Sequence, residues 1–489
     1  MLRFFIAMII AVIVTPADAQ PKSAKRGVAY GQNSAADLEV LSSGVSWWYN
    51  WHHQPENAVL NSYESYDFDY VPMGWNGSFD KAAMRAFLLT HPNVKYLLGW
   101  NEPNFTTQAN MTPTQAAAHW PDLEELADEF DLELVSPAMN YCDQCVSENG
   151  TTYSDPVKYL DDFFAACTGC RVDHIAIHSY MGNVSALQWY VGLFKKYDKP
   201  IWVTEFANWE NNPTLQVQKS FMVGAVDYLE NDPDVFRYAW FTGRFSGAPY
   251  IGILKYNQQG ALTDLGDIYV NMPLHDPEHY EIIPATIEAE KYNRMQGILL
   301  ELTSDEDGLA NVGYIEAGDW LEYGIDVPET KEYYFSTRVA ATQNASFQVI
   351  INGVTVQTIQ VPNTNGWQNW STVTIPLTLP AGEQKITIKA NTSGFNLNWF
   401  NITDEIIISN EEVQRESIHI FPNPATDKIS IQSPSKIQLV EITDLLGQTV
   451  YSLVPDENTI DVSHLGSGAY ILRLTSVAGN TFTEKIFRK

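Results

Sequence analysis

From Arg26 to about Phe245, short runs rich in β-branched and aromatic residues alternate with helical patterns, and this rhythm restricts the fold more than any other feature of the chain. It is the pattern of parallel strands joined by crossover helices. The strand runs are Gly27 to Gly31, Ser46 to Trp51, Phe68 to Gly74, Tyr96 to Glu102, Glu133 to Met139, His174 to Tyr180, Pro200 to Phe206 and Phe236 to Phe241. Helical stretches between them include Asp80 to Leu89, Thr112 to Phe130, Asp155 to Ala166 and Pro213 to Glu230. Eight such units in about 225 residues predict a (β/α)8 TIM barrel, assigned to residues 20–272. A Pro-rich, His-containing stretch at 273–284 reads as a linker. Residues 285–406 alternate apolar and polar positions between Gly and Asn turns, as a β-sandwich of jelly-roll type does. After a second polar linker at 407–417, residues 418–489 form a small all-β domain.

The first residues carry one basic position, Arg3, then the apolar run Phe4 to Val14, then Ala17-Asp18-Ala19. Residues 1–19 are thereby expected to be a secretory signal peptide. No later stretch has the roughly 18 uncharged apolar residues of a membrane-spanning helix. The 59 acidic against 29 basic residues would repel phosphate backbones and anionic membranes at long range, which makes nucleic acid a poor partner, and none is expected. A neutral, polyhydroxylated partner suits 14 Trp and 25 Tyr, several of them in Asn-rich or Gly-rich surroundings. Any one of these rings taken alone is equally well an ordinary core residue. The cysteines fall into two close pairs, Cys142/Cys145 and Cys167/Cys170. In a cytosolic protein this spacing would suggest zinc, whereas in an exported one it favours two disulfides, with three connectivities open.

Active sites of such barrels lie at the C-terminal ends of the strands. There the chain carries Tyr49-Asn50-Trp51, then Trp75, Trp100-Asn101-Glu102-Pro103-Asn104, His178-Ser179-Tyr180, Thr204-Glu205 and Trp240. Glu102 and Glu205 would face one mouth among aromatic rings. Glycoside hydrolysis needs such a pair, one carboxylic acid to protonate the leaving oxygen and one carboxylate to attack the anomeric carbon or activate water. Mutual repulsion and burial would hold one of them protonated near neutral pH. Trp48, Tyr49, Trp75 and Trp240 are candidate sugar platforms, Asn50 a candidate polar contact.

At these residues the chain resembles a known family. Trp47-Trp48-Tyr49-Asn50-Trp51, Val71-Pro72-Met73-Gly74-Trp75, Leu98 to Asn104, Gln108 to Pro113, Val172 to Tyr180 and Trp202 to Phe206 are similar, in this order, to glycoside hydrolase family 128, the alkali-sensitive-linkage-like group. The resemblance implies endo-acting, retaining hydrolysis of β-1,3-glucan without a catalytic cofactor. It makes Glu102 the acid/base and Glu205 the nucleophile, and gives Asn101 the sugar 2-hydroxyl. His178 and Tyr180 fall where the wider clan orients the nucleophile, although a satisfied core histidine competes for His178. Ser179 departs from the family, which carries an aromatic between this His and Tyr.

Asn311 to Tyr323, Asn365-Gly366-Trp367 and Gly394 to Trp399 resemble carbohydrate-binding module family 6. That likeness implies that Tyr314 and Trp367 stack on a sugar while Asn396 fixes its hydroxyls, and that Glu288 and Glu290 hold a structural calcium. The module would keep the barrel near polymeric glucan through effective concentration. Phe421-Pro422-Asn423-Pro424, Asp444-Leu445-Leu446-Gly447 and Leu465 to Tyr470 resemble the C-terminal sorting domain of the type IX secretion system. Its machinery would then be a partner, and the protein secreted or surface-held by a Gram-negative bacterium.

Overall fold

The computed structural model describes residues 22–305, 308–404, 419–433, 436–444, 449–453, 459–476 and 481–489. The expected signal peptide, the linker at 407–417 and the segment Leu445-Leu446-Gly447 lie outside them. The chain divides into two compact units, Met1–Glu405 and Ile406–Lys489.

The first unit opens with a parallel eight-stranded barrel: β1 (Arg26–Ala29), β2 (Trp47–Tyr49), β3 (Asp69–Tyr70), β4 (Tyr96–Leu98), β5 (Glu133–Met139), β6 (His174–Ser179), β7 (Ile201–Phe206) and β8 (Val235–Trp240). The sheet runs β3-β2-β1-β8-β7-β6-β5-β4, and a parallel bridge between Met73 and Leu98 closes it. Strand β3 is much shorter than its apolar run suggests, because Pro72 has no N–H to give and serves only as an acceptor, from the Leu98 amide at 2.9 Å. The helical stretch 112–130 is two helices, Pro113–His119 and Pro121–Phe130, broken where Pro121 cannot continue the first ladder.

Alternation along the strands sorts side chains between two cores. Ala29, Trp47, Tyr49, Met73, Leu98 and Trp202 pack inside the barrel. Val28, Trp48, Leu97, Val203 and Trp240 face the surrounding helices. Arg237 plugs the lower end, its guanidinium over the Trp47, Tyr96 and Trp202 rings and paired with Asp69 at 2.6 Å.

Two six-stranded sheets form the sandwich, among them Trp320–Val327 paired with Gly382–Ala390 and Lys331–Ala341 paired with Phe395–Thr403. The stretch expected as a linker is part of the fold. Glu281–Ile282 pairs with Ile325 and Asp326 of the sandwich. His275 stacks on Tyr292 at 3.9 Å, and the Tyr292 hydroxyl bonds Asp227 at 2.5 Å on the barrel helix Leu215–Asn231. The sandwich is thus docked on the barrel rather than tethered to it.

The second unit is all β, with a three-stranded sheet containing Lys428–Gln432 and a four-stranded sheet containing Ile437–Thr443 and Gly468–Ser476. Ile429, Ile431, Val440, Ile442, Leu472 and Leu474 supply its core. Among the described residues no helix is long and apolar enough to cross a membrane.

Candidate active site

Glu205 reaches the barrel mouth because β7 contains a bulge. Ile177 pairs with Val203 and His178 pairs with Glu205, so Thr204 is an extra residue against β6. Without it, strict alternation from the inward Trp202 would turn Glu205 outward, and re-aiming one side chain is what bulges beside active sites do. Glu102 follows β4 in a left-handed conformation, φ 44°, immediately before Pro103. A bulky residue seldom adopts this geometry, and it is held here by Glu102 N to Ala138 O at 3.1 Å, Phe105 N to Glu102 O at 3.0 Å and Met111 N to Pro103 O at 2.9 Å. Trp51, at φ 62°, is a second such residue at the same mouth.

The two carboxylates are buried and close. An oxygen of Glu102, an oxygen of Glu205 and a ring nitrogen of His178 lie within 4.8 Å of one another. Retaining glycosidases separate the two carboxyl groups by about 5–5.5 Å and inverting ones by about 6.5–9.5 Å. Three neutral donors converge on Glu205: the Tyr49 hydroxyl and the Trp51 indole N–H at 2.9 Å each on Oε1, and the Tyr180 hydroxyl on Oε2. Glu102 Oε1 contacts His178 Nδ1 at 2.8 Å and accepts from Asn140 Nδ2 at 2.9 Å. His178 Nδ1 lies 3.4 Å from Glu205 Oε2.

The three groups titrate together. Burial alone would lift Glu102, but His178 beside it and the Asn140 bond bring it below the ordinary carboxylate value. Burial pushes Glu205 up; the His178 charge, Tyr180 and Trp51 oppose this while the Glu102 charge adds to it. Burial would lower His178, yet Glu205 and Glu102 together raise it above the usual imidazole value. A proton on His178 between two carboxylates has the same net charge as a protonated Glu102 beside a neutral imidazole. One short transfer along the 2.8 Å contact interconverts the two states.

The cleft around the dyad has a volume of about 880 Å³. Trp51, Trp75, Phe105, Tyr141, Tyr180, Trp209 and Phe241 supply its rings, Asp143 and Glu210 its further charges, and among the described residues no lysine or arginine lines it. Trp75 and Trp51 also wall a second cavity of about 550 Å³ with His52, His53 and Asp80. Asn101 lies in the main cleft, its Nδ2 on Gln108 at 3.3 Å and its Oδ1 without a hydrogen-bond partner among the described residues. Four expectations need correction. Trp240 is fully buried on the helix side, its N–H bonded to the Ile251 carbonyl at 2.7 Å, so it offers no face to a sugar. Trp48 packs outward on Tyr63, Phe68 and Tyr70. Asn50 engages both ends of its amide, from Nδ2 to Gln54 O at 3.0 Å and from the Tyr70 hydroxyl to Oδ1 at 2.5 Å, so it braces the loop. Tyr49 is no platform either, since its hydroxyl serves Glu205. Trp51, Asn140, Tyr141, Trp209 and Phe241 went unassigned in the sequence; for Trp51 and Phe241 the signal was there in the alternation.

In the sandwich, Tyr314 and Trp367 are 65% and 49% exposed. Asn396 stands between their segments: its Nδ2 donates to Trp367 O at 2.8 Å and to Glu301 Oε1 at 2.7 Å, and its Oδ1 lies 3.2 Å from where a Cβ on Gly313 would sit. The cysteines close as Cys142–Cys145 and Cys167–Cys170, each with Cα atoms 5.4 Å apart.

A parallel α/β barrel that aims two buried glutamates into one ring-lined cleft has the arrangement glycoside hydrolysis requires, and the class is that of a glycoside hydrolase. Residues 27–269 match the model of a glycosyl hydrolase catalytic core, residues 288–404 that of carbohydrate binding module family 6, and residues 419–489 that of a secretion system C-terminal sorting domain. A family 128 subgroup II endo-β-1,3-glucanase of Sorangium cellulosum is 44% identical, over 52% of this chain and 100% of that one, with a TM-score of 0.46. The counterpart of Pseudomonas viridiflava is 42% identical over the same shares, with a TM-score of 0.47. Alkali-sensitive linkage protein 1 of Schizosaccharomyces pombe is 29% identical over 263 residues, 51% of this chain and 45% of its own length. The chain spans less than half the length of the curated relatives it matches. By its sequence identity over the whole of both solved glucanases, the chain belongs to glycoside hydrolase family 128. Its sorting domain marks it for type IX export to the cell surface or beyond.

Proposed function

We propose that the protein is a retaining endo-β-1,3-glucanase that degrades laminarin- or curdlan-type glucan outside the cell. The observation that carries this reading is the close glutamate pair with unequal partners, three neutral donors on Glu205 and the His178 ring and Asn140 amide on Glu102. Glu205 attacks the anomeric carbon as Glu102 protonates the departing oxygen, breaking the glycosidic bond and forming a glycosyl ester. Glu102 then takes a proton from water, whose oxygen bonds the anomeric carbon while the ester C–O bond breaks. The Asn101 Oδ1, unpartnered in the cleft, accepts from the 2-hydroxyl of the sugar being cut. That no lysine or arginine lines the cleft among the described residues favours a neutral glucan over uronate-rich or sulfated polymers. Endo action rests on the 44% identity to an enzyme described as an endo-β-1,3-glucanase.

In the module, Tyr314, Trp367 and Asn396 form the glucan clamp. Calcium would be held by Glu288 and Glu290, where it has a structural role. Glu290 fits: it is 3% exposed, its Oε2 has no hydrogen-bond partner among the described residues, and burial pushes its carboxyl up to about 8. A divalent cation there would replace the proton.

Product analysis on laminarin, curdlan, barley mixed-linkage glucan and xylan tests the reading, with Glu102→Gln and Glu205→Gln beside the wild type. Short β-1,3-oligosaccharides from wild type alone are expected. Cleavage of another polymer would overturn the substrate, and binding of glucan with no cleavage would overturn the enzyme.

A further inference from the structure

Resting on the glucanase reading, the geometry assigns the leaving-group subsite to the disulfide-stapled loop after β5, and we infer that Tyr141 is its sugar-binding ring. The two carboxylates act on opposite sides of the anomeric carbon, so the departing chain leaves on the side of Glu102. Tyr49 and Trp51 approach Glu205 from the end of β2, whereas Asn140 approaches Glu102 from the end of β5. The chain released by protonation therefore passes Asn140, and the next residue is Tyr141.

Tyr141 is built to be rigid while exposed. Its ring lies on Tyr190 at 5.4 Å and 41°, and the Tyr190 hydroxyl is fixed to Met139 O at 3.0 Å. The ring is nonetheless 42% exposed and lines the cleft, an arrangement that leaves an aromatic face for a ligand. The loop beneath it is joined to the loop that carries the acid. Asn104 Nδ2 donates to Asn140 O at 2.7 Å, Thr106 N to Gln144 O at 2.8 Å and Val146 N to Asn104 O at 2.8 Å. Phe105 bridges Cys145, which is bonded to Cys142. A disulfide between residues three apart constrains the unfolded chain far less than one closing a long loop, so its effect is local shape. The staple holds Asn140 against the acid and Tyr141 against the place where the first released sugar sits.

The same subsite would receive an acceptor sugar during transfer. Its hydroxyl oxygen bonds the anomeric carbon of the glycosyl–Glu205 ester, the ester C–O bond breaks, and the hydroxyl proton passes to Glu102. We would measure kcat/KM on laminaripentaose and on β-laminaribiosyl fluoride, whose fluoride is too small to reach Tyr141, together with the transfer-to-hydrolysis ratio on laminaribiose acceptor. In Tyr141→Ala the pentaose-to-fluoride ratio and the transfer ratio should each fall about tenfold, as loss of one stacked ring requires. Tyr141→Phe should restore both, and Cys142→Ser/Cys145→Ser should lower both with the fold intact by circular dichroism. Ratios unchanged in Tyr141→Ala, or an equal fall on pentaose and fluoride, would overturn the assignment while leaving the glucanase reading standing. Wild type that cuts neither substrate would overturn that reading, and the assignment with it.

Discussion

Tyr180→Phe removes one oxygen from the site and nothing else. The ring is held edge-on by Trp209 at 5.7 Å and Phe241 at 5.6 Å, contacts that phenylalanine keeps. What disappears is the hydroxyl donor to Glu205 Oε2, leaving that oxygen with His178 at 3.4 Å. A hydrogen bond to a charged group contributes about 1.5–3 kcal/mol, and the bond favours the ionised form. Its loss therefore raises the Glu205 carboxyl further above its ordinary value. The nucleophile works only when ionised, so the acidic limb of the kcat/KM profile should move to higher pH. At fixed acidic pH the rate should fall about 10- to 100-fold, with partial recovery as pH rises. The assay is kcat/KM on a β-1,3-gluco-oligosaccharide from pH 3 to 9, the range in which a carboxylate and its partner titrate. An even loss at every pH, with the acidic limb unmoved, would refute the claim that this bond keeps Glu205 charged.

Asn140→Ala should act on the other limb, because Asn140 donates to Glu102; without it the acid holds its proton to higher pH, and the basic limb should move up, as the same profile would read. Trp240→Ala should destabilise the barrel by about 3–5 kcal/mol in denaturant titration, with KM unaltered in the folded fraction, whereas Trp75→Ala should raise KM and leave stability near wild type. Burial lifts Glu290 to about 8 from an ordinary 4.5, so its contribution favours the folded state below pH 4.5 and is lost as pH rises through 8. Added calcium should therefore raise Tm more at pH 8 than at pH 5, and calorimetry showing no such difference would rule out metal at that carboxylate.

Much of the barrel is legible in the sequence because eight apolar runs spaced by helical patterns allow few other folds. The dyad is legible because it ends two of those runs. Which aromatic faces the cleft is a finer matter, and it follows from period two. In Trp47-Trp48-Tyr49-Asn50-Trp51 the odd positions face inward, which makes Tyr49 and Trp51 partners of Glu205 and sends Trp48 outward. The same count from Ala239 turns Trp240 out and Phe241 in. Local composition is silent where register shifts, as at Thr204, since a bulge leaves no mark in residue type. It misleads at 273–284, where Pro and His suggest a free connector. The contacts that dock this segment join residues far apart in the chain, such as Tyr292 with Asp227.

That docking changes what the second domain is for. A tethered module lets its enzyme sweep every bond within reach of the tether, and gain depends only on local concentration. With Tyr292 bonded to Asp227 and stacked on His275, cleft and clamp are instead two jaws of one caliper. On the proposed glucanase reading, a glucan chain would engage both only where its own repeat brings sugars to the matching spacing and orientation. The shape of the polymer, as well as its linkage, would then bear on which bonds are cut.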